Sequence, residues 1–196
     1  KKNKSELANL RSKDLLNQFI VIENERLKSI VNDYLVKSDT ILAKVLSDKG
    51  SPFLKSIIIN KGSKHNINLG MVAMDGEYLV GKVIEVNYLS SRILLLSDLN
   101  SKIPVTVEPN GLLSILSGIG KDYGIIQYNK KNENIKSGSI IYTSGVGSLF
   151  KAGIPIGRIN KNYSNKKKEV EFFSNFSQLR FVKIFSFIKN EDKWQN

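Results

Sequence analysis

Two segments of this chain follow one pattern. Asn66-Ile67-x-x-Gly70-Met71-Val72 leads on to Gly81-Lys82-Val83-Ile84, and Asn134-Ile135-x-x-Gly138-Ser139-Ile140-Ile141 leads on to Gly157-Arg158-Ile159. Glycines in such runs belong where backbone turns with positive φ or lies close against another backbone. The second segment is the denser. Tyr142–Ile159 sets Gly145, Gly147, Gly153 and Gly157 between two β-branched runs and holds no His, Cys or carboxylate. It reads as a shaped corner of a β-structure, not a reaction centre. Two copies of one turn-strand-turn-strand unit predict two similar small β-domains.

The rest of the chain after Leu46 supports this. Short β-rich runs occupy Ala43–Ser47, Leu54–Asn60, Met71–Asp75, Gly81–Asn87, Arg92–Asp98 and Pro104–Glu108. After Pro109-Asn110-Gly111 come Leu112–Gly118, Tyr123–Tyr128, Ser139–Ser144, Ile154–Asn160, Lys168–Ser174 and Arg180–Phe187. Short strands separated by turn residues argue for antiparallel sheets, since parallel ones need long crossovers. Closing six strands into a barrel removes exposed edges. The expectation is a mainly β fold of two small six-stranded antiparallel barrels, over 43–109 and 110–189, with a polar tail at 190–196. The runs leave open whether strands exchange between the barrels.

The first part differs in texture. Ser5 to Leu42 contains no Gly and no Pro, and Ser5-Glu6 suits a helix start. Leu16, Ile20, Leu27, Ile30 and Tyr34 recur at heptad spacing, with Glu23 as a polar break. A long helix over 1–42 follows, on the order of 55 Å at 1.5 Å per residue. Its apolar stripe needs a partner, either the rest of the chain or a second copy. The heptad spacing favours the second copy, which makes these five residues a dimerisation seam in a coiled coil.

Composition narrows the chemistry. The 196 residues include no cysteine and one histidine, His65, which excludes disulfides, zinc-cysteine sites and histidine-rich metal sites. The net charge of +12 suits a polyanion such as nucleic acid. Lys far outnumbers Arg, however, and Asn and Ile are abundant, so compositional bias is the preferred reading. The densest basic run, Lys161–Lys168, reads as a solvated hairpin tip, with a phosphate contact as its functional alternative. No apolar run approaches the ~18–20 residues of a membrane span. The chain begins at Lys1 without Met, which leaves room for an anchoring segment before it.

A double barrel raises the trypsin-like protease, and His65, Asp98 and Ser144 or Ser148 occur in that chain order. His65 lies in a lysine-flanked polar turn, Asp98 ends a strand where a turn-forming Asp is usual, and no serine has the Gly-Asp-Ser-Gly-Gly context. Gly145-Val-Gly-Ser lacks the Gly-Lys-Ser/Thr ending of a phosphate loop. Asp75-Gly76-Glu77 reads as a hairpin tip, not a catalytic carboxylate pair. No catalytic, cofactor or metal site is expected. Leu149, Phe150 and Phe173 are instead candidates for a partner-binding patch.

Gly138-Ser-Ile-Ile-Tyr-Thr143-Ser144-Gly145, through Phe150 to Gly153-Ile-Pro155-Ile-Gly157, resembles the Thr-Ser-Gly…Gly-Ile-Pro-Ile-Gly signature of the MreC family of bacterial rod shape-determining proteins. Asn60-Lys-Gly62-Ser63 through Gly70 to Gly81-Lys82-Val83 resembles the family's earlier motif, and Glu23–Leu27 its coiled-coil register. Lys151 stands where the family usually has Pro, Ser139 where Asp is common, and Asn66 where Gly is frequent. The missing Pro is expected to loosen the corner. The resemblance implies a non-enzymatic protein, anchored in the inner membrane by a preceding helix, with its main body periplasmic. It implies self-association, and a link from the MreB cytoskeleton through MreD to RodA and penicillin-binding protein 2, whose transpeptidase it activates. It implies no cofactor and no nucleic acid. A basic nucleic-acid-binding barrel protein and the protease remain the rival readings.

Overall fold

The computed structural model describes residues 2–33, 40–46, 54–128, 135–148, 150–160 and 168–186. The chain forms two compact units, one up to Ser38 and one from Asp39 onward. In the first, helix α1 runs from Lys2 to Asp33, about 48 Å at 1.5 Å per residue. It does not reach the expected end at Leu42. Ile41 and Leu42 already belong to a strand, in which Ala43 points inward and Leu42 and Lys44 outward. That period of two overrides the helical reading.

Among the described residues the second unit contains twelve strands, one overlapping each predicted run, with β1, β4, β5 and β6 starting one to three residues earlier than expected: β1 (Ile41–Leu46), β2 (Ser56–Ile59), β3 (Val72–Asp75), β4 (Tyr78–Val86), β5 (Ser91–Leu95), β6 (Lys102–Glu108), β7 (Leu112–Gly118), β8 (Tyr123–Tyr128), β9 (Ile140–Thr143), β10 (Pro155–Ile159), β11 (Lys168–Phe172) and β12 (Phe181–Phe185). They close into two barrels, ordered β1-β12-β3-β4-β5-β2 and β10-β11-β8-β7-β6-β9. The fold is mainly β, a long helix followed by two six-stranded antiparallel barrels, as expected.

The barrels are not the consecutive halves 43–109 and 110–189. β6 sits between β7 and β9 in the second barrel, and β12 sits between β1 and β3 in the first. Matched by position, β1–β5 correspond to β7–β11, and each repeat's sixth strand closes the other barrel. The Pro109-Asn110-Gly111 break misleads because it is a hairpin turn: Val107 pairs with Leu112 across it. A turn residue ends a strand without ending a domain.

The sequence repeat is also a structural one. Gly70 and Gly138 have φ of 82° and 83°. Their N–H groups donate to the carbonyls of Val83 and Ile159, both at 2.9 Å. Val83 N–H returns to Met71 C=O at 2.8 Å, and Ile159 N–H to Ser139 C=O at 2.9 Å. Ile67 and Ile135 plug the two barrels at equivalent places, each 1% exposed. At Gly81 a Cβ would lie 1.9 Å from the Leu94 carbonyl oxygen, and at Gly157 2.2 Å from that of Glu171. Only glycine permits these strand pairs to approach so closely.

Among the described residues two apolar clusters fill the unit. One is the interior of the first barrel, with Ala43, Ile59, Ile67, Ala73, Val80, Ile93, Val182 and Ile184. The other is the interior of the second, with Val105, Leu116, Ile141, Ile156 and Val170, and it also takes in Val72, Met74, Leu79 and Leu96 from the first barrel's outer face. β3 is therefore buried on both faces, and its Val72-Ala73-Met74 run shows no alternation. Phe176, just before β12, packs against both clusters.

Candidate functional site

The corner between β9 and β10 is held by Thr143. Its backbone exchanges bonds with Ile154 and Gly153 at 2.9 and 2.8 Å. Its hydroxyl donates to the Lys151 carbonyl and accepts the Ile154 N–H at 2.9 Å. Gly145 and Gly153 take positive φ at the two ends of the loop. Ser144 Oγ accepts the Val146 N–H at 3.3 Å, and Pro155 begins β10 with Gly157 inside it. Lys151 enters this clasp through its carbonyl, which a proline would also offer, so the departure from Pro leaves the bond in place.

His65 and Asp98, which echo a protease, are committed to hydrogen bonds with backbone. His65 Nδ1 accepts the Gly62 N–H at 3.3 Å. Asp98, 0% exposed, accepts the Lys55 N–H at 2.7 Å through one oxygen and the Asn100 backbone N–H at 2.7 Å through the other. The Asn100 side-chain amide adds a third bond at 3.0 Å. His65 is half-buried, not the solvated side chain expected. Among the described residues no group of three His, Cys, Asp or Glu side chains could hold a metal ion. A cleft at the barrel seam, lined by Lys82, Lys102 and Phe150 among others, encloses about 10 Å³. That is room for one water, not a small-molecule substrate.

Charge is placed simply. Arg92 Nε donates to Glu85 at 3.1 Å. That bond first, and the Asn87 amide second, hold the Glu85 carboxyl below its ordinary range. Burial lowers the Lys168 ammonium. The remainder of the Lys161–Lys168 run lies outside the described residues.

The expected partner patch is not assembled as predicted. Phe150 is 5% exposed and belongs to the core shared by the barrels. Its aromatic side chain is better satisfied there than in water, so it anchors the corner and presents almost no surface to the expected patch. Leu149 lies outside the described residues. Phe173 is half-buried against Tyr78, with ring centroids 5.1 Å apart. On α1, Leu16 and Ile20 are 60% and 52% exposed. Tyr34 and the side chains of Leu27 and Ile30 lie outside the described residues.

One surface was not anticipated. The β4–β5 turn presents Tyr88 and Leu89, 66% and 57% exposed. The available signal was two apolar residues in Asn87-Tyr88-Leu89-Ser90, a position where turns favour polar ones.

The description "rod shape-determining protein MreC, barrel core" fits residues 45–186, which take in both exchanged strands, the whole second barrel and the first barrel apart from the start of β1. The chain belongs to the MreC family. The cell shape-determining protein MreC of Cereibacter sphaeroides is 33% identical over 140 residues, 71% of this chain and 46% of that protein. MreC of Listeria monocytogenes has the same fold at 25% identity and a TM-score of 0.72, covering 93% of this chain and 91% of that one. MreC of Helicobacter pylori, solved in complex with the penicillin-binding protein PBP2, shares the fold at 15% identity and a TM-score of 0.60, over 78% of this chain and 100% of that one. The chain spans about half the length of the MreC relatives it matches. Among the described residues no helix is long and apolar enough to cross a membrane.

Proposed function

We propose that this chain is an extracytoplasmic, non-enzymatic scaffold of the cell-elongation machinery, which binds and activates a peptidoglycan transpeptidase of the penicillin-binding-protein type. The observation that carries this reading is membership of the MreC family across both barrels. The complex formed by the Helicobacter pylori relative supports the choice of partner. The commitment of His65 Nδ1 and of both Asp98 oxygens to backbone hydrogen bonds argues against their serving as base and orienter in the protease rival. Activation would be conformational: the scaffold favours the active state of the synthase by the difference in its affinity for the two states. RodA, MreD and, indirectly, MreB are the further partners of this reading. A membrane anchor preceding residue 1 keeps the barrels at the site of wall synthesis.

Self-association through α1 is part of the same proposal. Leu16 and Ile20 are more than half exposed on the helix and need cover. Leu27→Asp with Ile30→Asp should convert dimers to monomers in analytical ultracentrifugation while the β-sheet circular dichroism stays unchanged. Persistent dimers would move the interface to the barrels.

Calorimetric titration of the chain with the solubilised elongation transpeptidase of the same cell tests the scaffold role. Saturable binding is expected, and no binding at micromolar concentrations would sink it. Binding to unrelated DNA that falls steeply with salt would favour the nucleic-acid rival instead.

A further inference from the structure

We infer that the Tyr88-Leu89 tip is a preformed docking knob for an apolar pocket rimmed by carboxylates on a protein partner. This rests on the proposed scaffold function and gives that interaction a place. The tip lies at the end of the first barrel where β2, β4 and β12 finish and β1, β3 and β5 begin. The loop from Asn60 to Met71 lies at the same end and contains Leu69, also 60% exposed.

The tip is held unusually well for a turn. Ser63 N–H donates to Asn87 C=O at 2.9 Å, Lys64 N–H to Tyr88 C=O at 3.1 Å, and Asn87 N–H to Ser90 C=O at 2.8 Å. Gly62 lies directly beneath: a Cβ there would fall 2.1 Å from the Asn87 oxygen and 2.7 Å from that of Tyr88. His65 caps the supporting turn from the side. The Gly62-Ser63 motif therefore buttresses the hairpin. Its side chains face water, so the rigidity gives the barrel interior nothing. Fixing an exposed aromatic in advance lowers the entropy lost on binding, and aromatic anchors dominate interface energies.

Charge selects the partner. Lys64 Nζ lies 5.9 Å from the Tyr88 ring centroid, and half-buried Lys61 is in the same supporting turn. Glu85 is the carboxylate on the adjoining strand, and it is bound to Arg92. The rim of the knob is thus cationic, which fits carboxylates around the receiving pocket.

The test titrates the full chain, Tyr88→Ser/Leu89→Ser and Lys64→Glu with the elongation transpeptidase. Thermal midpoints are measured alongside, and both exposed-residue variants should match the wild type. The double variant is expected to bind at least about tenfold more weakly, and Lys64→Glu to bind more weakly with a reduced salt dependence. If the wild type binds and the double variant binds equally well, the knob is refuted while the scaffold reading stands. If the wild type fails to bind, both fall. Loss of sedimentation with insoluble peptidoglycan, with transpeptidase binding intact, would assign the tip to the wall polymer and overturn the protein-partner assignment.

Discussion

Gly81→Ala should destabilise both barrels together. The new Cβ would lie 1.9 Å from the Leu94 carbonyl oxygen, 2.9 Å from its carbonyl carbon and 3.2 Å from Leu95 Cα. Ordinary C···O contact begins near ~3.3 Å, so β4 and β5 must separate locally by more than about 1 Å. Gly81 pairs with Leu95 and Lys82 with Leu94, so that separation weakens the ladder bonds on either side. Two such bonds contribute roughly 1 kcal/mol each. Displacing Val80, Val83 and Ile93, each no more than 2% exposed, adds about 1–2 kcal/mol of packing loss. The expected sum is about 3–4 kcal/mol, a large part of the roughly 5–15 kcal/mol that holds a typical domain folded. Gly70→Ala is the control. Its φ is +82° with no atom within 4 Å of the added Cβ, so it incurs only the left-handed penalty of about 1–2 kcal/mol. Urea unfolding followed by far-ultraviolet circular dichroism gives both differences. Because β6 and β12 are exchanged, there should be one transition. Hydrogen exchange at Ile156 and Leu116 should then accelerate with that at Ile93. Equal effects of the two alanines, or two separate transitions, would refute the close-approach and reciprocal-closure arguments.

Other consequences are as specific. Asp98→Ala removes the buried carboxylate that accepts from the Lys55 N–H and from the backbone and side-chain N–H of Asn100 and should cost about 2–4 kcal/mol in urea unfolding, with Asp98→Asn costing less. Thr143→Val keeps the shape of the corner but removes the hydroxyl that binds Lys151 and Ile154, for a loss of about 1–3 kcal/mol in the same assay. The Glu85 carboxyl should titrate by NMR below the ordinary 4.5 and return toward it in Arg92→Gln. Because its folded pKa is the lower one, its contribution to stability is present above the unfolded value and fades as pH falls through the folded one.

Much of the fold was legible because it is written in local signals. Gly70 and Gly138 sit where φ is positive, and Gly81 and Gly157 where strands nearly touch, so the repeated spacing reported real geometry. Strand exchange was not legible. Nothing in Phe181–Phe185 distinguishes a strand that closes its own barrel from one that closes its neighbour, since either slot offers the same ladder. Phe150 misled for a related reason. An aromatic beside a glycine corner looks exposed until a second barrel is placed over it, and local pattern contains no information about that contact. Tyr88 and Leu89 were not legible because two apolar residues in one short turn carry no sign of what holds that turn in place. Their importance comes from Gly62, far away in sequence and directly beneath in space.

On the proposed function, this chain acts through its surfaces on another protein's chemistry. The most direct measurement is the rate of peptidoglycan cross-linking by the elongation transpeptidase as the chain is titrated in. A saturable rise is predicted, with the same midpoint as binding and unchanged in Ser144→Ala/Ser148→Ala. A rate that stays flat while the chain is bound would contradict the account.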